Sequence, residues 1–181
     1  EFRRVLFRSG TDRINEAVNI LNLSEDEIII NVQGDEPFIE IEVVQAVINR
    51  VKQIKENNEN IMITSCYKEI SSELADDPNH VKVILDEHSN AIYFSRAKVP
   101  YHRDHHENAT YSGHLGIYGF TKKSLNAFCK LPSSKLENIE KLEQLRAIDN
   151  GHKIAMVKVN SKSFGIDTQE DLNNALKIFK K

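Results

Sequence analysis

The stretch Glu27 to Val32, followed at once by Gln33-Gly34-Asp35-Glu36-Pro37, limits the possible folds more than any other part of the chain. Ile28, Ile29 and Ile30 stand in an unbroken apolar run, which predicts a short strand buried on both faces. The glycine and proline that follow predict a turn. A strand of this kind needs helices above and below it. Ile41 to Ile54 supplies one, with Val44, Val47, Ile48, Val51 and Ile54 on a single stripe, and Ile61 to Tyr67 returns as a strand. Strand, helix and strand in that order predict a βαβ unit, and with it an α/β fold whose Rossmann-like, mainly parallel sheet is flanked by helices.

The remaining segments fit around that unit. Asp12 to Leu23 carries Ile14, Ala17, Val18 and Leu21 at the spacing of one helix face. His80 to Leu85 and Ala91 to Ser95 are separated by the turn-forming Asp86-Glu87-His88-Ser89-Asn90, which predicts a hairpin and opens a second, smaller strand cluster. Tyr101 to Ser112 is polar and rich in histidine, a long loop before a strand over His114 to Phe120. Helices are predicted over Lys122 to Cys129 and Leu136 to Asn150, the second ending near Gly151. Ile154 to Val159 is then a strand, and Thr168 to Phe179 a last helix opened by Asp167-Thr168.

At 181 residues the chain suits one globular unit, and no apolar run approaches the roughly 20 residues of a membrane span. Cys66 and Cys129 lie far apart and form no CxxC pair, so neither a disulfide framework nor a thiolate metal site is expected, and a cytoplasmic location fits. Residues 1–9, EFRRVLFRS, resemble the translation of a sequencing-adapter oligonucleotide and are set aside, with the natural chain expected to begin further upstream. Removing Arg3, Arg4, Arg8 and Glu1 from 24 basic and 27 acidic residues leaves 21 and 26, a net charge of −5. That acidic balance argues against a nucleic-acid partner.

Three places carry acids or glycines where chemistry gathers. Asp35 ends a strand, at the sheet edge where α/β folds bind ligands, beside a glycine that admits close backbone approach. With Glu36 it offers the oxygen donors that Mg²⁺ prefers, although a solvated polar turn has the same pattern. Asp167, in Phe164-Gly165-Ile166-Asp167-Thr168, repeats the arrangement at a strand-to-helix junction, with a simple helix cap as the alternative. Gly10-Thr11-Asp12-Arg13 opens a helix whose backbone N–H groups can meet a polar ligand, as can those of any capped surface helix. His102, Asp104, His105 and His106 lack a regular ligand spacing and are expected to form a solvated loop, not a metal cluster.

Taken in order, SGTDR, NVQGDEP, HVKVILD, YFSRAKVP, HLGIYGF, LEQLR and GIDTQEDL resemble the CMP-KDO synthetases, the cytidylyltransferases that activate 3-deoxy-manno-octulosonate (KDO). The resemblance runs from Gly10 to the C-terminus, as one domain of the nucleotide-diphospho-sugar transferase type. It implies a cytoplasmic enzyme that transfers CMP from CTP to the anomeric hydroxyl of KDO, with Mg²⁺, for lipopolysaccharide. Carried onto this sequence, it assigns Asp35 and Asp167 to catalysis and metal, and Gly10, Thr11, Arg13 and Gln33 to the nucleotide. Arg96, His114, Tyr118, Glu143 and Gln144 fall around the sugar. Residues 80–120 are implied to support sugar binding and homodimerisation. The family's opening strand and phosphate-binding loop are not in this sequence, so the sheet is expected to lack its first strands and the fragment to be inactive. Alternatives are a cytidylyltransferase for another nonulosonate or amino-substituted KDO, and an inactive sugar-nucleotide-binding module.

Overall fold

The computed structural model describes residues 9–34, 36–104, 109–163, 165–166 and 169–179. In chain order they form α1 (Gly10–Ile20), β1 (Ile28–Val32), α2 (Ile41–Glu56), β2 (Ile63–Ile70), α3 (Ser72–Asp76), β3 (Lys82–Leu85), β4 (Ala91–Ser95), β5 (Tyr111–Thr121), α4 (Lys122–Lys130), α5 (Lys135–Glu140), α6 (Leu145–Asp149), β6 (Ile154–Lys158) and α7 (Gln169–Phe179). Ser9, inside the segment set aside from the sequence, is the N-cap of α1: its side chain accepts a bond from the Asp12 backbone N–H.

The α/β character is as predicted, but the sheet is mixed. Its strands lie in the order β4-β3-β5-β2-β6, with β1 also paired to β5. β1, β2 and β3 all pair antiparallel with β5, and β4 pairs antiparallel with β3; among the described strands only β2 and β6 pair in parallel. The βαβ pattern had fixed correctly that β1 and β2 run the same way. It could not show that β5, arriving about 50 residues later in sequence, lies between them and opposes both.

Alternation along the strands divides the core into two layers. Ile29, Ile63, Tyr118, Phe120, Ile154 and Met156 face α4 and α6 with Leu125, Phe128 and Leu145. Cys66, Leu115, Ile117 and Val159 face the other way, onto Val43 and Val47 of α2. Helix α2 sits unusually close to β5, because a Cβ on Gly119 would come 2.7 Å from Val51 Cγ2 and 2.8 Å from Val47 Cγ1. No helix among the described residues is long and apolar enough to cross a membrane.

Two predicted elements differ from what forms. Strand β5 begins at Tyr111, so the loop predicted over Tyr101 to Ser112 is shorter; His105 and His106 fall outside the described residues. The helix predicted over Leu136 to Asn150 is two short helices. Lys141 ends α5 in the left-handed region, at φ 56°, and the chain turns through Leu142, Glu143 and Gln144 before α6 starts. Leu136, Ile139, Leu142, Leu145 and Ile148 keep the spacing of one helix face across the break, which hid it, yet Ile139 is 66% exposed. Arg146 holds the two helices together. Its guanidinium is paired with Glu137, lies 4.8 Å from the Phe128 ring centre and is almost fully buried. Glu137 in turn closes a capping box with Ser134 at the start of α5. After α6, Gly151 at φ 78° and the bonds Gly151 N–H to Ile148 O and His152 N–H to Ala147 O close the helix in a Schellman motif, as the glycine had predicted.

The α2–β5 contact leaves no room for a methyl group. Gly119→Ala is expected to lower stability by about 1–3 kcal/mol, the usual range for overpacking a close-packed core. Urea denaturation measures this; an unchanged midpoint would mean that α2 moves away freely.

Candidate active site

The site is built around an irregularity in β5. Between Ser65 and Cys66 on β2 the chain advances one residue, whereas the paired positions on β5 run from Tyr118 to Leu115, so β5 carries two extra residues there. Their polar groups are met by neighbours. Gly116 N–H donates to Glu36 Oε1 at 3.2 Å, Gly116 O accepts from Gln33 N–H at 3.1 Å, and Ile117 O accepts from Ser65 Oγ at 2.8 Å. The bulge therefore ties β5 to the turn after β1 on one side and to β2 on the other.

Next to it opens a cavity of about 560 Å³. Of the predicted site residues, Gly10, Gln33, Arg96, His114, Tyr118, Glu143 and Gln144 line it together. Thr11 and Arg13 do not: Thr11 is buried behind it, and Arg13 is exposed. The Thr11 hydroxyl is engaged, accepting from Asn31 Nδ2 at 3.0 Å and donating to Glu143 Oε1. Asp35 and Asp167 lie outside the described residues. Their chain neighbours Gln33 and Glu36 on one side and Gly165 on the other all border the cavity.

The α5–α6 break gives Glu143 and Gln144 a role that a continuous helix would not. A straight helix over Leu136 to Asn150 turns Gln144 away from the apolar stripe, toward solvent. The turn at Lys141 instead buries it, and Tyr118 Oη donates to its Oε1 at 3.2 Å. Glu143 Oε2 and Gln144 Nε2 are buried with no hydrogen-bond partner among the described residues. One is an acceptor and the other a donor, at the wall of one cavity.

Arg96 reaches the cavity from the end of the β3–β4 hairpin. Glu140 anchors it: the carboxylate accepts Arg96 N–H at 2.9 Å and Ser95 Oγ at 2.8 Å, and the Glu140 backbone O accepts Arg96 Nε at 2.9 Å. Burial alone would raise the Glu140 carboxyl, but these bonds outweigh it and hold it below the usual carboxylate range. Desolvation acts alone on His114, whose ring is pushed down to about 3 and is neutral at pH 7. Phe94 meets it edge-on at 5.0 Å between ring centres, and Tyr118 lies at 5.5 Å.

Sequence reasoning missed three contributors. Glu36, considered there as an oxygen donor for metal, is buried and acts as a brace: besides Gly116, it accepts from Ser163 Oγ at 2.9 Å. Lys68 donates to the backbone O of Ser163, and desolvation lowers its ammonium despite the attraction of Glu36 and Glu40. Lys141, the left-handed residue of the break, adds a third cation to the cavity wall beside Lys68 and Arg96. Lys68, directly after the strand predicted over Ile61 to Tyr67 and inside the longer strand that forms, was the visible signal among the three.

Comparison with known proteins fits this geometry. Residues 2–154 match the family model described as Cytidylyltransferase. The chain belongs to the cytidylyltransferase family. It is 56% identical over 173 residues to the 3-deoxy-manno-octulosonate cytidylyltransferase of Wolinella succinogenes, covering 94% of this chain and 71% of that protein. It is 43% identical to the 8-amino-3,8-dideoxy-manno-octulosonate cytidylyltransferase of Shewanella frigidimarina, covering 91% of this chain and 66% of that one. A solved CMP:2-keto-3-deoxy-manno-octonic acid synthetase complexed with CTP superposes with a TM-score of 0.81 at 33% identity, over 96% of this chain and 68% of that one. This cytidylyltransferase thus has the mixed sheet and flanking helices of an enzyme that binds CTP.

The neutral state of His114 has a consequence for stability. Its folded value of about 3 lies below the ordinary 6.5, so between those pH values the unfolded chain holds a proton that the folded chain does not. Stability present above pH 6.5 is therefore lost progressively as the pH falls toward 3. His114→Gln is expected to flatten that part of the pH profile. Urea midpoints measured from pH 7 to pH 4 test this, and parallel profiles for the two proteins would contradict it.

Proposed function

We propose that the protein transfers CMP from CTP to the anomeric hydroxyl of 3-deoxy-manno-octulosonate, releasing pyrophosphate and giving CMP-KDO for lipopolysaccharide. The observation that carries the sugar half of this reading is the pair of buried, unpartnered atoms Glu143 Oε2 and Gln144 Nε2. A polar group left unpaired in the interior costs about 1–3 kcal/mol, and a ligand with several hydroxyls can donate to the first and accept from the second. His114 adds a neutral ring to that wall. Lys68, Arg96 and Lys141 favour an anionic ligand, which describes both a sugar acid and a triphosphate.

We assign the nucleotide to Gly10 and Gln33, which border the same cavity. A Cβ on Gly10 would come within 3.5 Å of Gln33 Oε1, so the two segments touch closely there. Thr11 supports these residues indirectly, through its bonds to Asn31 and Glu143, and Arg13 at the exposed face of α1 is available to the phosphates. Asp35 and Asp167 are the proposed holders of Mg²⁺. Among the described residues no three His, Cys, Asp or Glu side chains gather to hold a metal ion. The donor chemistry fits: two carboxylates suit a hard cation, and the segments carrying them border the same cavity. When bound, the ion would neutralise phosphate charge and lower the pKa of the attacking hydroxyl. The protein's share is positioning, the larger part of phosphoryl-type transfer. Glu36, Lys68 and Ser163 clasp the two acid-bearing segments together, while Arg96, Glu143 and Gln144 orient the sugar. A cytoplasmic homodimer, with residues 80–120 at the subunit contact, completes the proposal.

Pyrophosphate release by the full-length protein tests it, with four nucleoside triphosphates and a panel of 2-keto sugar acids. Turnover is expected with CTP and KDO and to be weaker with 8-amino-KDO. Equal rates with all nucleotides, or none with KDO, would refute the reading. Asp35→Asn and Asp167→Asn are each expected to reduce Mg²⁺-dependent turnover at least a hundredfold, on the order of the loss of one electrostatic transition-state contact, without changing the urea midpoint. An active double variant would remove the metal assignment.

A further inference from the structure

Ser65 lies on β2 opposite Tyr118, fully buried, at the point where β5 bulges. A serine hydroxyl has one proton to give, and here it goes to Ile117 O at 2.8 Å. The same oxygen is 2.9 Å from His114 Nε2. Since the proton of Ser65 is spent on the carbonyl, this second contact can only be an N–H donated by the histidine. Nε2 therefore carries a proton. Desolvation keeps the ring neutral, so Nδ1 carries a lone pair and none.

We propose that Ser65 is a positioning residue: it locks His114 as the Nε2–H tautomer, so that any hydrogen bond between this ring and a ligand is accepted at Nδ1. Such an acceptor takes a hydroxyl or an ammonium and repels a phosphate or carboxylate oxygen. His114 in this state keeps the anionic parts of both substrates, the triphosphate and the sugar carboxylate, away from its stretch of the wall and reserves that stretch for a hydroxyl. The edge contact with Phe94 and the tilted contact with Tyr118 hold the ring plane, so the tautomer is a fixed property of the empty protein and is not induced by the ligand. The bulge serves the same end, because it is the extra turn of β5 that brings Ile117 O within reach of Ser65 Oγ. The ligand half of the proposal rests on the assignment of this wall to the sugar.

The ring nitrogens of His114 can be read directly by long-range proton–nitrogen correlation NMR on the labelled protein at pH 7. The wild-type protein is expected to show a protonated Nε2 and a bare Nδ1. In Ser65→Ala the Nδ1–H form should appear, and KDO, used as the probe ligand, should bind about tenfold more weakly, the scale of one lost hydrogen bond. Removing the hydroxyl also strands Ile117 O, so the near-isosteric Ser65→Cys, whose thiol is a weak acceptor, serves as the second variant and should shift the tautomer the same way. A wild-type ring with Nδ1–H, or an imidazolium, overturns the proposal, as does a retained Nε2–H in both variants. If the tautomer shifts but neither these variants nor His114→Gln weakens KDO, the ligand half is overturned, and the fault lies in assigning the wall to the sugar.

Discussion

The bulge at Gly116 and Ile117 is the constraint on which the site depends. A regular antiparallel ladder would satisfy these backbone groups within the sheet and leave nothing for side chains to do. On the β2 side the two extra residues leave Ile117 O to the Ser65 hydroxyl, while on the β1 side the ladder stays in register, so that Gly116 O accepts Gln33 N–H and Gly116 N–H passes to Glu36. Those partners are then held by what they bond. The turn that carries Asp35 is pinned at Gln33 and Glu36, and His114, two residues before the bulge, is pinned through Ser65.

Glu36 extends the same logic to the far side. Its second oxygen takes the Ser163 hydroxyl, Lys68 donates to the Ser163 carbonyl, and Glu40 accepts from Ser161 Oγ at 2.6 Å and Lys162 N–H at 2.7 Å. Burial opposes ionisation of Glu40, but the bonds from Ser161 and Lys162 win and keep it charged. The segment that leads to Gly165 is thus gripped by three side chains from β2 and from the stretch between β1 and α2. Glu36 is buried, and Glu40 and Lys68 are half-buried.

Much of this was legible in the sequence, for reasons that can be named. The unbroken apolar run Ile28 to Val32 formed a strand and the stripe from Val44 to Ile54, at a period of 3.6, formed a helix, although the strand's end at Val32 is exposed and not buried on both faces. The cavity also gathered seven of the nine described residues that the motif order singled out. What the sequence hid was long-range or conformational. Nothing local marks β5 as the strand lying between β1 and β2. A lysine at a left-handed φ gives no warning, because glycine and asparagine are the residues that normally announce such a break. Glu36 looked like a ligand because it is an acid beside an acid; only its burial and its two donors show that it braces the turn.

One consequence concerns how such a site can diverge. On the proposed assignment the residues for nucleotide and sugar both lean on β5, so altering the strand's register to fit a new sugar would disturb Gln33 and Glu36 in the same step. The turn at Lys141 to Gln144 is under no such obligation: it belongs to no strand, and it presents its side chains to the cavity from between two short helices. Divergence in substrate choice therefore has an open route through that turn and a nearly closed one through the sheet, an inheritance written into the architecture and not into any single contact.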